Sequence, residues 1–297
     1  MRQRNPLIER AISLATFFLV AVSHMAFGQP VIQQAAASSE LPCPSYLLEP
    51  PATYNIGQVS GKELSITLEN HRALLIMPEK ASSTGLLEWV WFSPMVPNEP
   101  NEHHAYMIQH VLDAGMAFAT IDVGESYGNA EGTRLYAAFH DLLGRCFHLS
   151  PKAVLMPQSR GGLMLFNWAA AHPDEVTRIA GIYTVCNVRS YPGLTTAAQA
   201  YGVTAEELNS QLSQQNPLDH NPLDLLAPLA KANVPVFLIH GADDKVVPLQ
   251  DNSAEFVSRY QKLGGSATLL VVSGRGHEEV DEFFKSPKFV AFLTAGK

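Results

Sequence analysis

The sequence predicts an α/β fold, with a mostly parallel central sheet, helices on both faces and a small cap insertion. Short apolar runs alternate with segments of helical spacing over the last two thirds of the chain. These runs are continuously apolar, which is typical of strands buried on both faces of a parallel sheet. The interval between two of the runs, at residues 187–233, is longer than one connecting helix requires, and we assign it to the cap.

The N-terminus has the three parts of a signal peptide. Arg2, Arg4 and Arg10 precede an apolar run at residues 11–22, and small residues end the segment at Gly28. The alternative is a membrane anchor, but the run has about a dozen residues, whereas a spanning helix needs roughly 20. We therefore expect a signal peptide at residues 1–28 and a secreted or periplasmic protein with no membrane span after signal cleavage.

The remaining elements follow in order along the chain. Residues 29–52 are rich in Pro, Ala, Ser and Gln without periodicity, so we expect a tether before one domain at residues 53–297. Runs at residues 54–59 and 63–77 predict antiparallel strands at the start of the sheet. Later strands are expected at residues 86–92, 116–123, 153–156, 179–186, 234–239 and 267–272. Apolar residues at three- and four-residue spacing predict helices around residues 108–115, 135–143 and 256–263.

The interval at residues 187–233 has a helix start of its own. Thr204 and Glu207 have the spacing of a capping box, which predicts a short helix. We interpret the interval as a cap over the edge of the sheet. The alternative is a connector with no part in binding.

The net charge limits the classes of partner that we expect, and the cysteines bear on the redox compartment. The chain has 20 Lys and Arg against 28 Asp and Glu, a formal net charge of −8. Residues 1–28 contain three basic residues and one acidic residue, so cleavage would leave −10. This excess argues against nucleic acid or an anionic membrane as a partner. Cys43, Cys146 and Cys186 allow one disulfide and one remaining thiol, and the sequence does not choose the pair.

A serine follows the strand expected at residues 153–156. Ser159 lies in Pro157-Gln-Ser-Arg-Gly-Gly162, where the strand passes into a helix, and a serine at such a corner stands above the sheet edge. Gly161 and Gly162 allow a tight turn. The pattern typical of such a nucleophile is G-x-S-x-G, from which Pro157 departs at the first small position. The adjacent helix N-terminus favours an oxyanion.

An acid and a histidine follow the last two expected strands. They occur in His240-Gly-Ala-Asp-Asp-Lys-Val-Val-Pro248 and in Ser273-Gly-Arg-Gly-His277. The carboxyl ends of parallel strands lie at one edge of a sheet, so both side chains can reach Ser159. Asp243 and Asp244 are both candidates for the acid.

From about Leu86 to the C-terminus, the chain resembles the α/β-hydrolase superfamily. The Gly-Ala-Asp-Asp-Lys-Val-Val-Pro segment is similar to the acid loop of its dienelactone-hydrolase-like and acyl-peptidase-like members. In that pattern the acid lies three residues after the glycine, which implies Asp244 rather than Asp243. The resemblance implies an α/β-hydrolase fold and a serine hydrolase of esterase type.

Each of these side chains has an expected role. Ser159 is the nucleophile, His277 the base that removes its proton, and Asp244 the acid that orients the imidazole. The alternative for His277 is a solvated loop histidine, because glycines flank it. His103 and His104 are expected at a helix start and His240 as a packed residue at a strand end.

Other residues should bind the oxyanion and the substrate. An oxyanion hole needs two N–H donors, and we expect the backbone amides of Arg160 and Met95. Residues 122–128 follow a strand whose end faces the site, which makes Glu125, Ser126 and Tyr127 candidate substrate-binding residues. Glu125 either pairs with Arg160 as a structural contact or binds substrate itself.

These observations favour a secreted serine carboxylic-ester hydrolase that works through an acyl-enzyme. We expect no metal and no organic cofactor, since the histidines lack metal-ligand spacing. The substrate is expected to be a small-molecule or carbohydrate ester, including plant-polymer esters. The alternatives are a small serine peptidase and a binding protein of the same fold that has lost catalysis. We expect no second domain that would sort peptides, which makes a peptidase less favoured, and none of the three catalytic residue types is missing.

Overall fold

One sheet organises the computed structural model, which describes residues 46–49, 56–80, 85–97, 99–213 and 221–296. Within these ranges the strands are β1 Tyr46–Glu49, β2 Lys62–Leu68, β3 His71–Met77, β4 Trp89–Ser93, β5 Ala117–Ile121, β6 Ala153–Pro157, β7 Val176–Ile182, β8 Val236–Gly241 and β9 Ala267–Val272. Their order across the sheet is β1-β2-β3-β5-β4-β6-β7-β8-β9. Strands β4 to β9 run parallel, and β1 to β3 are antiparallel, so the mostly parallel sheet is confirmed.

Helices cover both faces of the sheet. They are α1 Ala105–Asp113, α2 Ala130–Phe147, α3 Gly161–Ala171, α4 Leu194–Tyr201, α5 Ala205–Ser213, α6 Leu226–Lys231, α7 Ser253–Lys262, α8 Asp281–Phe284 and α9 Pro287–Leu293. Helices α2, α3, α6 and α7 contribute to one core, and α1, α8 and α9 contribute to the other. In the described part of the chain, no helix is long and apolar enough to cross a bilayer.

Strand β4 shows why these continuous apolar runs form the centre of the sheet. Successive side chains of a strand point to opposite faces. Trp89 and Trp91 pack into one core, whereas Val90 and Phe92 pack into the other, and all four are buried. Both faces of the strand therefore exclude water, as its sequence predicts.

The antiparallel edge differs from the sequence prediction. Residues 46–49, expected in the tether, form β1 and pair with β2, so the tether prediction is wrong for these four residues. Residues 56–59, expected in a strand, have no regular structure, and residues 54–55 lie outside the described ranges. The run at 63–77 is a hairpin of two strands, because Glu69 and Asn70 both adopt positive φ, at 50° and 67°. The signal peptide expected at residues 1–28 also lies outside the described ranges.

The predicted cap interval divides into two parts. Helices α4 and α5 pack in a separate apolar cluster, in which Ala197 and Leu208 meet Leu163 of α3. The expected capping box forms: Thr204 N donates to Glu207 Oε2 at 2.8 Å, and Glu207 N donates to Thr204 Oγ1 at 3.2 Å. Helix α6 belongs instead to the main core and connects β7 to β8. The cap is therefore smaller than predicted, with residues 214–220 outside the described ranges.

Two of the three cysteines have defined states. Cys146, near the end of α2, is disulfide-bonded. Cys186 is a free, fully buried thiol, and burial raises its pKa to about 12. Cys43 lies outside the described residues. The sequence allowed one disulfide and one remaining thiol, and Cys186 is the thiol.

Candidate active site

The turn between β6 and α3 holds Ser159 in a backbone conformation that non-glycine residues rarely adopt. Its φ is 46°, in the left-handed region. Hydrogen bonds fix the strained residue on both sides: Ser159 N donates to Ile182 O at 3.0 Å, and Val185 N donates to Ser159 O at 2.8 Å. Such strain costs about 1–3 kcal/mol and persists only where the surroundings enforce it.

Two glycines let this turn close against its neighbours, as the sequence analysis expects. A Cβ on Gly161 would overlap the Ser93 carbonyl at the end of β4. A Cβ on Gly162 would overlap the Val185 carbonyl after β7. The start of α3 therefore lies directly against the ends of two strands, which brings the loops after those strands to Ser159.

The structure brings Ser159, His277 and Asp244 into one chain of hydrogen bonds. Ser159 Oγ lies 2.9 Å from His277 Nε2, and His277 Nδ1 lies 2.8 Å from Asp244 Oδ2. A carboxylate only accepts, so Nδ1 carries the proton and Nε2 is free to accept from the serine hydroxyl. Asp243 is exposed and does not take this position. The choice of Asp244 made from the acid-loop pattern therefore agrees with the geometry.

The charge of Asp244 is stabilised although its side chain is fully buried. Burial favours the neutral acid, but hydrogen bonds from His240, His277 and the Val247 amide outweigh it and hold the Asp244 pKa well below its usual range. Asp244 is thus an anion at neutral pH. It can stabilise an imidazolium when His277 takes up a proton.

His277 is a packed residue rather than a solvated loop histidine. Its side chain is 19% exposed. The ring of Tyr183 lies 4.4 Å from its own ring, measured between centroids, and Tyr183 is itself buried. The flanking glycines do not leave the imidazole in water, so the alternative given by the sequence is wrong.

Of the two amides expected in the oxyanion hole, one belongs to the nucleophile turn and the other to the loop after β4. Arg160 follows Ser159 directly, and Met95 lies two residues beyond Ser93, whose carbonyl accepts a hydrogen bond from Gln158 N at 2.8 Å. Within the described ranges, neither the Arg160 amide nor the Met95 amide donates a hydrogen bond to protein. Both donors are therefore available for an oxyanion.

The substrate-binding candidates have different surroundings. Arg160 Nε lies 3.0 Å from Glu125 Oε1, so the ion pair considered from the sequence forms. Tyr127 lies near this pair, and burial together with the Glu125 charge raises its pKa. The Tyr127 carbonyl accepts a hydrogen bond from Tyr201 of α4 at 3.1 Å. Glu125 and Tyr127 thus lie between the nucleophile turn and the cap.

Ser126 does not share this position. It is 5% exposed, its Oγ lies 3.4 Å from the Gly128 amide nitrogen, and its side chain packs against Gly132 at the start of α2. Tyr127 and Gly128 both have positive φ, which turns the loop at this point. The substrate contact of Ser126 stays a prediction.

His104 supports the nucleophile turn, a role that the sequence did not reveal. It lies in a short helix at Glu102–His104 that leads into α1, in agreement with the helix start expected at His103 and His104. The Asn101 amide donates to His104 Nδ1 at 3.1 Å, so Nε2 carries the proton and donates to Gln158 Oε1 at 2.7 Å. Burial lowers the His104 pKa to about 4, which keeps the ring neutral. The residue preceding Ser159 is thereby fixed.

Glu99 is an acidic residue of the site that sequence reasoning missed. It lies in the loop after β4, where Val96 and Glu99 exchange two backbone hydrogen bonds of 3.1 and 3.0 Å. Burial raises its pKa to about 7, and the charges of Arg160 and His277 oppose that rise. Its Oε2 is buried without a hydrogen-bond partner among the described residues. No periodicity or motif in the sequence distinguishes this glutamate.

His240 is packed at the end of β8, as expected, but it also contacts the acid. Its Nε2 lies 3.2 Å from Asp244 Oδ2. The spacing of four residues does not by itself predict this contact, because His240 belongs to β8 and Asp244 lies in the loop that follows. Across the described ranges, no group of three or more His, Cys, Asp and Glu side chains is arranged to hold a metal ion.

Solved structures of several hydrolases share this fold. S-formylglutathione hydrolase FrmB from Staphylococcus aureus is 12% identical, with a TM-score of 0.61, and the match covers 80% of this chain and 100% of that chain. Est1E from Butyrivibrio proteoclasticus is 15% identical, with a TM-score of 0.55 and the same coverages, 80% and 100%. Dipeptidyl peptidase 4 from Porphyromonas gingivalis is 14% identical, with a TM-score of 0.60, and the match covers 78% of this chain and 35% of that chain. The chain spans about a third of the dipeptidyl peptidases that it matches.

The sequence family is defined more directly. No curated protein sequence matches the chain. Residues 107–292, more than half of the chain, match the Prolyl oligopeptidase family, and this range includes Ser159, Asp244 and His277. The α/β-hydrolase fold and the hydrogen-bonded Ser–His–Asp arrangement agree with that match. The chain therefore belongs to the prolyl oligopeptidase family of serine hydrolases.

Proposed function

We propose that the protein is a serine carboxylic-ester hydrolase that works through an acyl-enzyme. The observation that carries the proposal is the position of His277, which lies 2.9 Å from Ser159 Oγ on one side and 2.8 Å from Asp244 on the other. A serine hydroxyl is a weak nucleophile near neutral pH, and an imidazole at this distance can remove its proton during attack.

The same catalytic groups act first in acylation and again in deacylation. Ser159 Oγ attacks the ester carbonyl while its proton passes to His277 Nε2, and the amides of Arg160 and Met95 stabilise the oxyanion. His277 then gives the proton to the departing alcohol, which leaves the acyl group on Ser159. A water molecule, deprotonated by His277, releases the acid and restores the serine.

A peptidase is the second candidate, because the family match and the longer dipeptidyl peptidases favour it. The ester proposal is supported by the coverage of the shorter structures, since the matches to FrmB and Est1E extend over all of those chains. Ester and amide hydrolysis use the same three groups. The two activities must therefore be separated by measured turnover.

The substrate and the location are parts of the same proposal. The disulfide of Cys146 supports an oxidising compartment, which agrees with a secreted or periplasmic protein. In such a compartment, carbohydrate and plant-polymer esters are natural substrates. Tyr127 near the nucleophile turn offers an aromatic ring for binding them.

The test compares esters with amides on the same protein. Nitrophenyl acetate, butyrate and octanoate, acetylated and feruloylated sugars, and peptide nitroanilides are assayed with wild type and Ser159→Ala. Ser266→Ala, an exposed serine before β9, is the matched control. We expect ester turnover in wild type and Ser266→Ala and its loss in Ser159→Ala, together with loss of fluorophosphonate labelling.

Other outcomes contradict the proposal in distinct ways. Turnover of nitroanilides at rates above those of the esters would identify a peptidase. Absence of both turnover and probe labelling in a folded wild type would favour a binding protein that has lost catalysis. Ester turnover that survives Ser159→Ala would remove Ser159 from the mechanism.

A further inference from the structure

A second histidine, His240, contacts the same carboxylate oxygen of Asp244 as His277 does. We propose that His240 is a positioning residue that holds Asp244 in the orientation required by His277. The inference rests on the proposed function, because it assigns His240 a part in the same Ser159–His277–Asp244 mechanism. Nothing about the fold alone requires a histidine at the end of β8.

The hydrogen bonds of His240 fix which nitrogen carries the proton. Its side chain is fully buried, and Nε2 lies 2.9 Å from the Val247 carbonyl oxygen and 3.2 Å from Asp244 Oδ2. A carbonyl only accepts, so Nε2 carries the hydrogen. Nδ1 then accepts from the Ser253 hydroxyl at 2.7 Å. The Nε2–H of His240 can therefore donate to both Val247 O and Asp244 Oδ2.

The donors around Asp244 account for its fixed orientation. Oδ1 accepts from the amides of Val246 and Val247 at 2.9 and 2.8 Å, and Oδ2 lies between the imidazoles of His277 and His240. A carboxylate has about four lone-pair sites, and four donors face this one. Rotation of the carboxylate would break several of these contacts in a buried position, so Oδ2 stays directed at His277 Nδ1.

If the role of His240 is purely structural, its replacement is expected to have a different effect. In that case His240 only joins β8 to α7 through Ser253, and its replacement lowers stability without changing the chemistry of His277. If His240 positions the acid, its loss leaves Asp244 with one donor fewer. The Asp244 charge is then less stabilised by hydrogen bonding, so the pKa of Asp244 rises, and Oδ2 is held less firmly toward His277 Nδ1.

The experiment uses two substitutions that differ in one donor. His240→Met removes the N–H, whereas His240→Gln can place an amide N–H near the position of Nε2. For His240→Met we expect about a 10- to 100-fold loss of kcat on nitrophenyl acetate, the range for a hydrogen bond to a charged group. We expect little change in KM and an acid limb of kcat/KM that is displaced from that of wild type. His240→Gln should recover most of kcat and the original limb.

The matched control is His172→Met, at the far end of α3 from Ser159. It should retain the kcat and pH profile of wild type. The proposal is overturned if folded His240→Met keeps wild-type kcat and pH profile, or if His240→Gln behaves like His240→Met. If His240→Met does not fold, His240→Asn carries the test, because its shorter side chain cannot place an amide N–H at the position of Nε2. An unchanged kcat and pH profile in His240→Asn would then overturn the proposal.

One measurement is independent of turnover. The proton between His277 Nδ1 and Asp244 Oδ2 should give a downfield NMR resonance, which we expect to shift in His240→Met and to return toward its wild-type position in His240→Gln. If wild type hydrolyses no ester, the proposed function fails, but this resonance still tests His240. A resonance that is identical in all three proteins would exclude the positioning role.

Discussion

Glu99 carries a carboxyl group that changes its charge near neutral pH. Burial raises its pKa from 4.5 to about 7 in the folded protein. Between these values the folded state holds a proton that the unfolded state has released, so the free energy of unfolding falls as pH rises through this interval. The stabilising state of Glu99 is therefore the neutral acid, and ionisation above about pH 7 destabilises the fold.

The substitution Glu99→Gln removes this dependence. The neutral amide has nearly the shape of the protonated acid, so the variant should gain stability relative to wild type as pH rises from 5 to 8. The gain should be at most about 3 kcal/mol. Urea unfolding at pH 5 and pH 8 measures it, with Glu206→Gln on an exposed turn of α5 as the control for loss of one charge. Equal differences between Glu99→Gln and wild type at the two pH values would show that Glu99 is not destabilised by ionisation.

The sequence predicts individual site residues only where chemistry limits the choice. Ser159, Asp244 and His277 were found because an acyl-transfer mechanism needs these residue types after particular strands. The burial of Ser126 was not predictable, because the direction of its side chain depends on two positive φ angles in the next residues. The contact of His240 with Asp244 also depends on loop geometry, which spacing alone does not determine.

At the scale of elements, the turn from β6 to α3 depends on close packing at Gly161. In Gly161→Ala, the added methyl group would overlap the Ser93 carbonyl, so either α3 or the end of β4 must move. We expect a loss of stability of about 1–3 kcal/mol, the range for overpacking, together with loss of fluorophosphonate labelling. Thermal unfolding and probe labelling of the purified variant check both effects.

A glycine in α2 provides the opposite case. Gly144 lies within a helix, and the atom nearest to an added Cβ would be the Leu149 carbonyl oxygen, at 4.0 Å. Gly144→Ala should therefore be stabilising by about 0.5–1 kcal/mol, because alanine loses less backbone entropy in a helix. If Gly161→Ala and Gly144→Ala had the same stability and the same fluorophosphonate labelling, the close contact at Gly161 would not determine the conformation of the turn.

The prediction of elements succeeded where the sequence is continuously apolar. Strands β4 to β9 were predicted because they are apolar throughout or nearly so, and β9 has the expected bounds. The turn at Glu69-Asn70 was missed because neither residue is glycine, although asparagine tolerates positive φ well. Strand β1 was missed because four residues beside prolines carry no periodicity. The strands at the antiparallel edge are therefore defined by their pairing with one another, which the sequence pattern does not show.

At the scale of the whole molecule, residues 42–297 form one compact unit, and the parallel strands connect its two cores to the site. Trp89 and Phe92 of β4 pack in opposite cores, and the same strand ends at Ser93, which contacts the nucleophile turn. The ends of β6, β7, β8 and β4 meet there. The position of Ser159 relative to His277 therefore depends on the packing of both faces of the sheet.

Cys186 allows the opening of this unit to be measured. The thiol is fully buried after β7, and because burial raises its pKa to about 12, almost none of it is thiolate at pH 8. We expect no reaction with Ellman's reagent in the folded protein and reaction of Cys186 once urea unfolds the chain. Below the unfolding midpoint, the labelling rate should follow the population of the open state and rise with urea. Cys186→Ala should lose this reaction. Rapid labelling of folded wild type, with unchanged ellipticity, would show that the core around β7 opens locally without unfolding of the whole unit.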